Sequence, residues 1–295
     1  MIETEILRHN PLIDPTLHVW GWEIAVYLFL GGIAAGTMVL AGGTKALHSR
    51  MARLLIFVAP LALSLGMLAL FIDLEHKQHV FRFYTAFRIT SPMSWGSWLL
   101  LFIYPATLLM GLAQLEVGGM AGRVATFARA NELLLRRLNV VLGVALGAYT
   151  GILLGTLTAR PAWSSLLLAP LFLASGISAA AAVGMLLPVG ETDRALMRRW
   201  DVVAMAAEAG VLALFFLELV SAGGARGRAA ASLFFGGPFT AVFWSLVVIA
   251  GLAVPLTLEL FEARRRMHIV LAPALVLIGG LSLRWILVLA GQFPT

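Results

Sequence analysis

The chain has 295 residues, of which 60% are hydrophobic and only 12% are charged, and its mean hydropathy is +0.93. This balance excludes an ordinary soluble domain, and the absence of cysteine excludes thiolate-bound iron–sulfur clusters, cysteine zinc sites and disulfides. The net charge is +6, and the basic residues lie in loops between apolar segments. This placement is explained by the orientation of a protein in a membrane, and we expect no nucleic-acid partner.

Eight apolar segments follow one another, and each is long enough to cross a bilayer at about 20 residues per span. Backbone groups inside a bilayer must pair internally, so we expect helices. The predicted spans are Trp20–Leu47, Leu54–Leu74, Ser91–Leu115, Leu133–Thr158, Ser164–Leu187, Val202–Ser221, Pro238–Leu260 and Ile269–Gly291. The predicted fold is all-α and polytopic, with a segment 1–19 outside the membrane and two four-helix bundles, 20–158 and 159–295.

Lysine and arginine are distributed unevenly between the two sides of these spans. Thirteen of the 21 follow odd-numbered spans, seven lie on the opposite side, and Arg284 lies within the eighth span. Cytoplasmic loops carry the excess of basic residues. We therefore expect both termini outside, in the periplasm of a Gram-negative bacterium, with the protein in the inner membrane.

The first span opens with the segment HVWGWEIAVYLFLGGIAAG, which runs from His18 to Gly36. Trp20 and Trp22 are typical of the aromatic belt at a membrane interface. Glu23 begins a span that is otherwise uncharged. Because an ionisable group inside a membrane is costly and is usually functional, Glu23 is a candidate for proton transfer.

The loop after the second span combines aromatic and basic residues. Asp73 precedes it at the outer mouth of the second span, and Ser91 with Pro92 predicts the start of the third helix. The pattern fits either a short interfacial helix or a docking surface for an extramembrane partner. The residues of the docking interpretation are Lys77, Phe81, Arg82, Phe83, Tyr84, Phe87 and Arg88.

Tyr149 lies in the fourth span, about ten residues or ~15 Å from its outer end. A buried tyrosine hydroxyl needs a partner, which is either a serine or threonine of another helix or a ligand. The topology brings His18, Glu23, Asp73 and Tyr149 into the outer half of the first four helices. Titratable groups beside apolar walls suit a site that holds a quinone head and exchanges its protons.

The histidines exclude a haem-carrying anchor. Such anchors need histidines well inside the helices as axial ligands. Here all six lie in loops or at the ends of predicted helices, at His9, His18, His48, His76, His79 and His268. We therefore expect no haem and no metal site in this protein.

The second half of the sequence has its own intramembrane charges. Glu208 and Glu218 lie in the sixth span, Glu259 near the inner end of the seventh, and Arg284 in the outer half of the eighth. Glu218 and Arg284 have similar predicted depths, so we expect them to pair. These residues either join the helices or form a proton-transfer path from the inner face.

Three motifs together resemble the NrfD/PsrC family: W-x-W-E-I-A-x-Y-L-F-L-G-G-x-A-A-G, S-P-M-S-W-G and A-Y-T-G. Its members are haem-free membrane subunits of polysulfide reductase, of related iron–sulfur molybdoenzymes and of alternative complex III. The resemblance covers essentially the whole sequence. It implies electron exchange between a quinone (menaquinone or ubiquinone) and a periplasmic four-cluster ferredoxin-like iron–sulfur subunit, coupled to a molybdopterin catalytic subunit.

The resemblance also implies roles for individual residues. In the family, a histidine before the first helix and a tyrosine in the fourth contact the quinone, and these correspond to His18 and Tyr149. The asparagine that polysulfide reductases have four residues before this histidine is replaced here by Asp14. On this reading His18 or Asp14 binds one quinone carbonyl, Tyr149 binds the other, and Asp73 or Glu23 transfers protons.

Two other functions fit parts of the sequence. A secondary transporter could line its substrate path with Glu208, Glu218, Glu259 and Arg284. A purely structural anchor would hold the outer complex without binding a quinone. The clustering of titratable residues in the outer half, and the lack of clear inverted-repeat halves, favour the quinone-linked function.

Overall fold

The computed structural model describes residues 20–44, 49–74, 77–79, 81–85, 88, 90–156, 160–265 and 270–293. All regular structure in these ranges is helical. Eight of the helices are long and apolar enough to cross a membrane, which confirms the predicted all-α, polytopic class. They are Trp22–Gly43, Arg53–Asp73, Pro92–Ala113, Glu132–Gly155, Leu168–Leu186, Glu191–Ser221, Thr240–Phe261 and Leu271–Ala290.

We number the helices in sequence order. The long helices are α1 (Trp22–Gly43), α2 (Ser49–Asp73), α4 (Pro92–Ala113), α6 (Glu132–Gly155), α7 (Leu168–Leu186), α8 (Glu191–Ser221) and α12 (Leu271–Ala290). The seventh span combines α10 (Thr240–Val242), a π-helical segment (Phe243–Ala253) and α11 (Val254–Arg265). The shorter elements are a 3₁₀ turn (Lys77–His79), α3 (Arg82–Thr85), α5 (Gly119–Ala130) and α9 (Gly224–Ser232). We call the side at which α2 ends the Asp73 side.

Helix α1 lies at the centre of the molecule and contacts α2, α6, α7 and α12. Its glycines explain the close approach to α7. A Cβ atom on Gly36 would overlap the backbone of Gly176, and one on Gly32 would lie 2.7 Å from a guanidinium nitrogen of Arg284. Small residues therefore let these backbones touch, as expected for helices packed in lipid.

The other contacts group the helices around α1. Helices α2, α4 and α6 pack on one side of it, and α7, α8, α11, α12 and the π-helical segment pack among themselves. The division into bundles 20–158 and 159–295 stays a prediction. Because α1 also contacts α7 and α12, the two groups share an extensive interface.

Helix α8 begins at Glu191, eleven residues before the predicted start at Val202. The first turns of α8 carry charged residues, so a span chosen by its hydropathy does not include these turns. Glu191 forms a salt bridge with Arg194 on the exposed side. The early start places Asp201 inside the helix, where its side chain is fully buried.

Candidate functional site

A cavity of about 440 Å³ lies between α1, α2, α4 and α6 at the Asp73 side. Its walls are mainly aliphatic and aromatic, and they include Ile24, Leu28, Leu100 and Leu154. This volume lies within the range of roughly 300–1,000 Å³ that small-molecule sites occupy. The cavity is therefore a candidate binding site for an apolar molecule.

Three of the four tyrosines of the sequence line this cavity, and the fourth bonds a residue that lines it. Tyr27, Tyr84 and Tyr149 line it directly. The hydroxyl of Tyr104 is 3.0 Å from the hydroxyl of Ser64, which also lines the cavity. The apolar walls thus carry several neutral hydrogen-bonding groups.

Tyr149 is buried, and its hydroxyl lies against the backbone of Gly96. A Cβ atom at Gly96 would overlap this hydroxyl, so only glycine leaves room for it. Gly96 ends the S-P-M-S-W-G motif and Tyr149 belongs to A-Y-T-G, so the structure brings the two motifs together. Tyr149 is six residues, or ~9 Å, from the end of α6, because α6 ends at Gly155 and not at Thr158.

The two carboxylates expected beside Tyr149 have different positions. Asp73 is the last residue of α2, is exposed, and lines the mouth of the cavity. Glu23, in the first turn of α1, interacts electrostatically with Asp73 but does not line the cavity. Only Asp73 is thus in position to contact a molecule inside the cavity.

His18 and Asp14 lie outside the described residues, but Trp20 shows how the first span is anchored. Its indole stacks on Trp163 with 5.0 Å between ring centroids, and it lines the cavity. Its backbone N–H donates to Oε1 of Gln292 at 3.0 Å, and Nε2 of Gln292 donates to its carbonyl at 2.9 Å. Trp20 is thus a half-buried wall residue, where the sequence indicated an interfacial belt.

The loop predicted as a docking surface lies beside the cavity mouth. Lys77, Phe81 and Arg88 are exposed, whereas Tyr84 is half-buried and lines the cavity. Burial raises the pKa of Tyr84 above its ordinary value of 10.0, so its hydroxyl stays protonated and can donate a hydrogen bond. Phe87 and the side chains of Arg82 and Phe83 lie outside the described residues.

A second polar region surrounds Arg284, which is fully buried. Its guanidinium donates to the carbonyl of Leu28 at 3.2 Å, of Gly280 at 2.9 Å and of Phe172 at 3.1 Å. It also donates to the hydroxyl of Ser175 at 3.0 Å. Four protein acceptors therefore compensate for the loss of water.

Glu208, and not Glu218, is the carboxylate associated with Arg284. Glu208 is buried, contacts the Ser175 hydroxyl and attracts Arg284 electrostatically. Glu218 instead accepts a hydrogen bond from Ser165. It lines a separate cavity of about 280 Å³. The expected Glu218–Arg284 pair is therefore wrong, because the two glutamates face different sides of α8.

Asp201 and Glu259 form the inner part of the same region. Both are fully buried, and their carboxyl groups lie close enough to interact. The Ser178 hydroxyl donates to Oδ1 of Asp201 at 2.5 Å. We call the whole set the polar column; its members are Asp201, Glu259, Ser178, Glu208, Ser175 and Arg284.

The π-helical segment helps to aim Glu259 at Asp201. Phe243, Val247, Gly251, Pro255 and Glu259 follow one another at intervals of four residues, and all five are buried. A strict interval of four drifts around an α-helix, which has 3.6 residues per turn. A π-helical turn holds more than four residues, so in that segment the same interval shifts the side chains around the axis in the opposite sense. The two shifts compensate, and the five residues stay on one face of the combined helix.

Comparison with known proteins assigns the sequence to a family. The family model "Polysulphide reductase, NrfD" matches residues 10–294. The protein belongs to the NrfD family. The C subunit of polysulfide reductase from Wolinella succinogenes is 29% identical over 299 residues, covering 93% of this sequence and 94% of that protein. Protein NrfD of Escherichia coli is 31% identical over 306 residues, covering 93% and 95%.

Membership of the NrfD family and the eight spans identify a multi-pass membrane subunit of the kind found in respiratory complexes. In the part of the sequence that the structure describes, no group of three or more His, Asp or Glu residues is placed to hold a metal ion. Among the residues that the structure describes, the cavity and the polar column are two regions that hold polar groups.

Sequence reasoning missed several residues of both regions. Tyr27 lies within an apolar motif of α1, and Ser64 and Tyr104 are isolated polar residues in apolar stretches of α2 and α4. Asp201 fell one residue before the predicted sixth span. The rarity of tyrosine, four in 295 residues, was the signal that could have identified the cavity, since all four precede residue 150.

Proposed function

We propose that this protein exchanges electrons between a membrane quinone and an extramembrane iron–sulfur subunit of a respiratory oxidoreductase. The cavity between α1, α2, α4 and α6 carries the proposal, because it is an apolar void of about 440 Å³ with the hydroxyl of Tyr149 at its wall. Similarity to the C subunit of polysulfide reductase supports the respiratory setting.

The lining of the cavity fits a quinone ring. A bound quinone, menaquinone or ubiquinone, would supply two-electron, two-proton redox chemistry. The apolar walls exclude water, and the Tyr149 hydroxyl donates a hydrogen bond to a carbonyl oxygen. Tyr27 and Tyr84 line the same space and are further donors. Asp73, exposed at the mouth, exchanges protons with the aqueous phase, with Glu23 beside it.

The segment before α1 supplies the second carbonyl contact. Trp20 lines the cavity, and His18 precedes it by two residues, so the backbone keeps their Cα atoms within roughly 8 Å. His18, or Asp14 four residues earlier, then binds the carbonyl opposite Tyr149. This assignment follows the resemblance to the family.

The exposed loop beside the cavity mouth docks the electron-transfer partner. Lys77, Phe81 and Arg88 offer the mixture of cation and aromatic ring that interfaces favour. The partner is a four-cluster ferredoxin-like subunit that connects to a molybdopterin catalytic subunit. The distribution of lysine and arginine assigns this face to the periplasm and the protein to a bacterial inner membrane.

Proton movement along the polar column is a second candidate function. The column begins at Asp201 and Glu259 and ends at Arg284, which donates to the carbonyl of Leu28 in the cavity wall. A series of titratable and hydroxyl groups that reaches the quinone site is suited to proton translocation. The transporter alternative has less support, because neither cavity described above is lined by Glu208 or Arg284.

The test replaces Tyr149 by phenylalanine in the assembled complex. The ring keeps its packing while one hydrogen bond to the quinone is lost, so quinol-linked turnover should fall roughly five- to tenfold. Turnover with an artificial donor that bypasses the membrane subunit should remain. The control is Ser245→Ala, which removes an exposed hydroxyl that bonds a carbonyl of its own helix and does not line the cavity. Unchanged quinol-linked turnover in Tyr149→Phe would place the quinone elsewhere.

A further inference from the structure

One side of the cavity is open to the surface that faces lipid. Leu68 on α2 and Met93 on α4 line the cavity, yet each is 54% exposed, and Phe71 is 40% exposed. On the opposite side, Leu28 of α1 and Leu154 of α6 are fully buried. The cavity therefore has a closed back wall and a lateral opening between α2 and α4.

Contacts between α2 and α4 set the inner limit of this opening. The hydroxyls of Ser64 and Tyr104 join the two helices at 3.0 Å. Further from the Asp73 side, a Cβ atom on Gly111 would lie 3.1 Å from the ring of Phe57. The helices thus touch from this level inward, and the cavity-lining part of both helices lies on the Asp73 side of it.

The opening lies at a depth where lipid tails are available. Leu68 is five residues, or ~7.5 Å, from the end of α2. The exposed residues around it are apolar, so hydration of the opening is unfavourable. A cavity of about 440 Å³ accommodates a quinone ring and the first part of its tail, and a long isoprenoid tail has to leave it.

We infer that the opening between α2 and α4 is the portal through which a long-tailed quinone enters from the bilayer and through which its tail leaves the site. This inference rests on the proposed function and specifies the substrate class as a lipid-dissolved quinone. Leu68 and Met93 contact the tail, whereas Tyr149 contacts the ring.

The test fills the portal without touching the ring site. Leu68→Trp adds bulk at the opening, and Leu61→Trp is the matched control, since Leu61 lies seven residues earlier on the same face of α2. Leu61 is 61% exposed and does not line the cavity. Binding of labelled long-tailed menaquinone and of tail-less menadione is measured by equilibrium titration of the full-length protein in nanodiscs.

We expect Leu68→Trp to raise the Kd for menaquinone roughly five- to tenfold and to leave the Kd for menadione unchanged. Leu61→Trp should change neither. An equal loss of both quinones in Leu68→Trp, or no loss of either, would overturn the portal. Tyr149→Phe tests the proposed quinone site separately from the portal. It should raise the Kd of both quinones, whether or not the tail passes between α2 and α4. If the unmodified protein binds neither quinone, the proposed function itself is wrong.

Discussion

The cavity and the polar column handle polar groups inside a membrane in opposite ways. The cavity encloses about 440 Å³ lined by apolar groups and neutral hydroxyls, and among the described lining residues the carboxylate is Asp73, at the mouth. The column places Asp201, Glu208, Glu259 and Arg284 in full burial and surrounds Arg284 with protein acceptors. The cavity therefore has room for a bound molecule, whereas the buried cation of the column is satisfied by protein acceptors.

Removing the charge of the column should have the largest effect on stability. Arg284→Leu deletes four hydrogen bonds and leaves Glu208 buried without its cation. Leaving a buried charge without compensation costs about 3–5 kcal/mol. We expect the amount of folded protein in membranes, and its midpoint of unfolding in detergent, to fall sharply.

Arg228→Leu is the control for this variant, because Arg228 is an exposed arginine of α9. It should leave the unfolding midpoint unchanged. Arg284→Leu with wild-type stability would contradict the view that the hydrogen bonds of Arg284 stabilise the packing of α1, α7 and α12.

The sequence predicted the spans because their apolar lengths match the bilayer. It predicted Tyr149 and Asp73 as cavity residues, since a tyrosine within an apolar span and a carboxylate at a helix end are visible as exceptions. The sequence does not reveal the cavity between the helices, because the cavity depends on which helix faces meet. Tyr27, Ser64 and Gly96 were therefore missed as lining residues.

Errors in the second half have the same origin. The hydropathy pattern placed the start of the sixth span at Val202, so the prediction left out Asp201. This residue is the most buried carboxylate of α8. Similar depth suggested a Glu218–Arg284 pair, but the helix face decides the partner. Glu208 is buried on α8, which packs against α7, and it attracts Arg284 electrostatically.

A change at Gly96 should affect the cavity and spare the column. Gly96→Ala forces the Tyr149 hydroxyl to move, because the new Cβ atom would overlap it. Overpacking of this kind costs about 1–3 kcal/mol, so we expect quinol-linked turnover to fall roughly tenfold or more while artificial-donor turnover persists. Gly210→Ala, at a glycine of α8 with no atom near its Cβ position, should behave as wild type. Equal activity of both variants would remove Tyr149 from the site.

The smallest expected effect on quinone chemistry comes from the inner end of the column. Asp201→Asn keeps the shape of the side chain and removes a carboxyl from the contact with Glu259. Quinol-linked turnover in uncoupled membranes should stay within about twofold of wild type, since Asp201 does not line the cavity. In coupled vesicles, the number of protons moved per electron pair should fall. A large loss of uncoupled turnover would show that the two regions are not separate.

Direct observation of a bound quinone tests the central claim, that the cavity of α1, α2, α4 and α6 is the quinone site. The measurement is a cryo-EM structure of the assembled complex in nanodiscs supplied with menaquinone. We expect ring density in the cavity with a carbonyl oxygen within hydrogen-bonding distance of the Tyr149 hydroxyl. Ring density at the polar column, at the Glu218 cavity or in another subunit would contradict it.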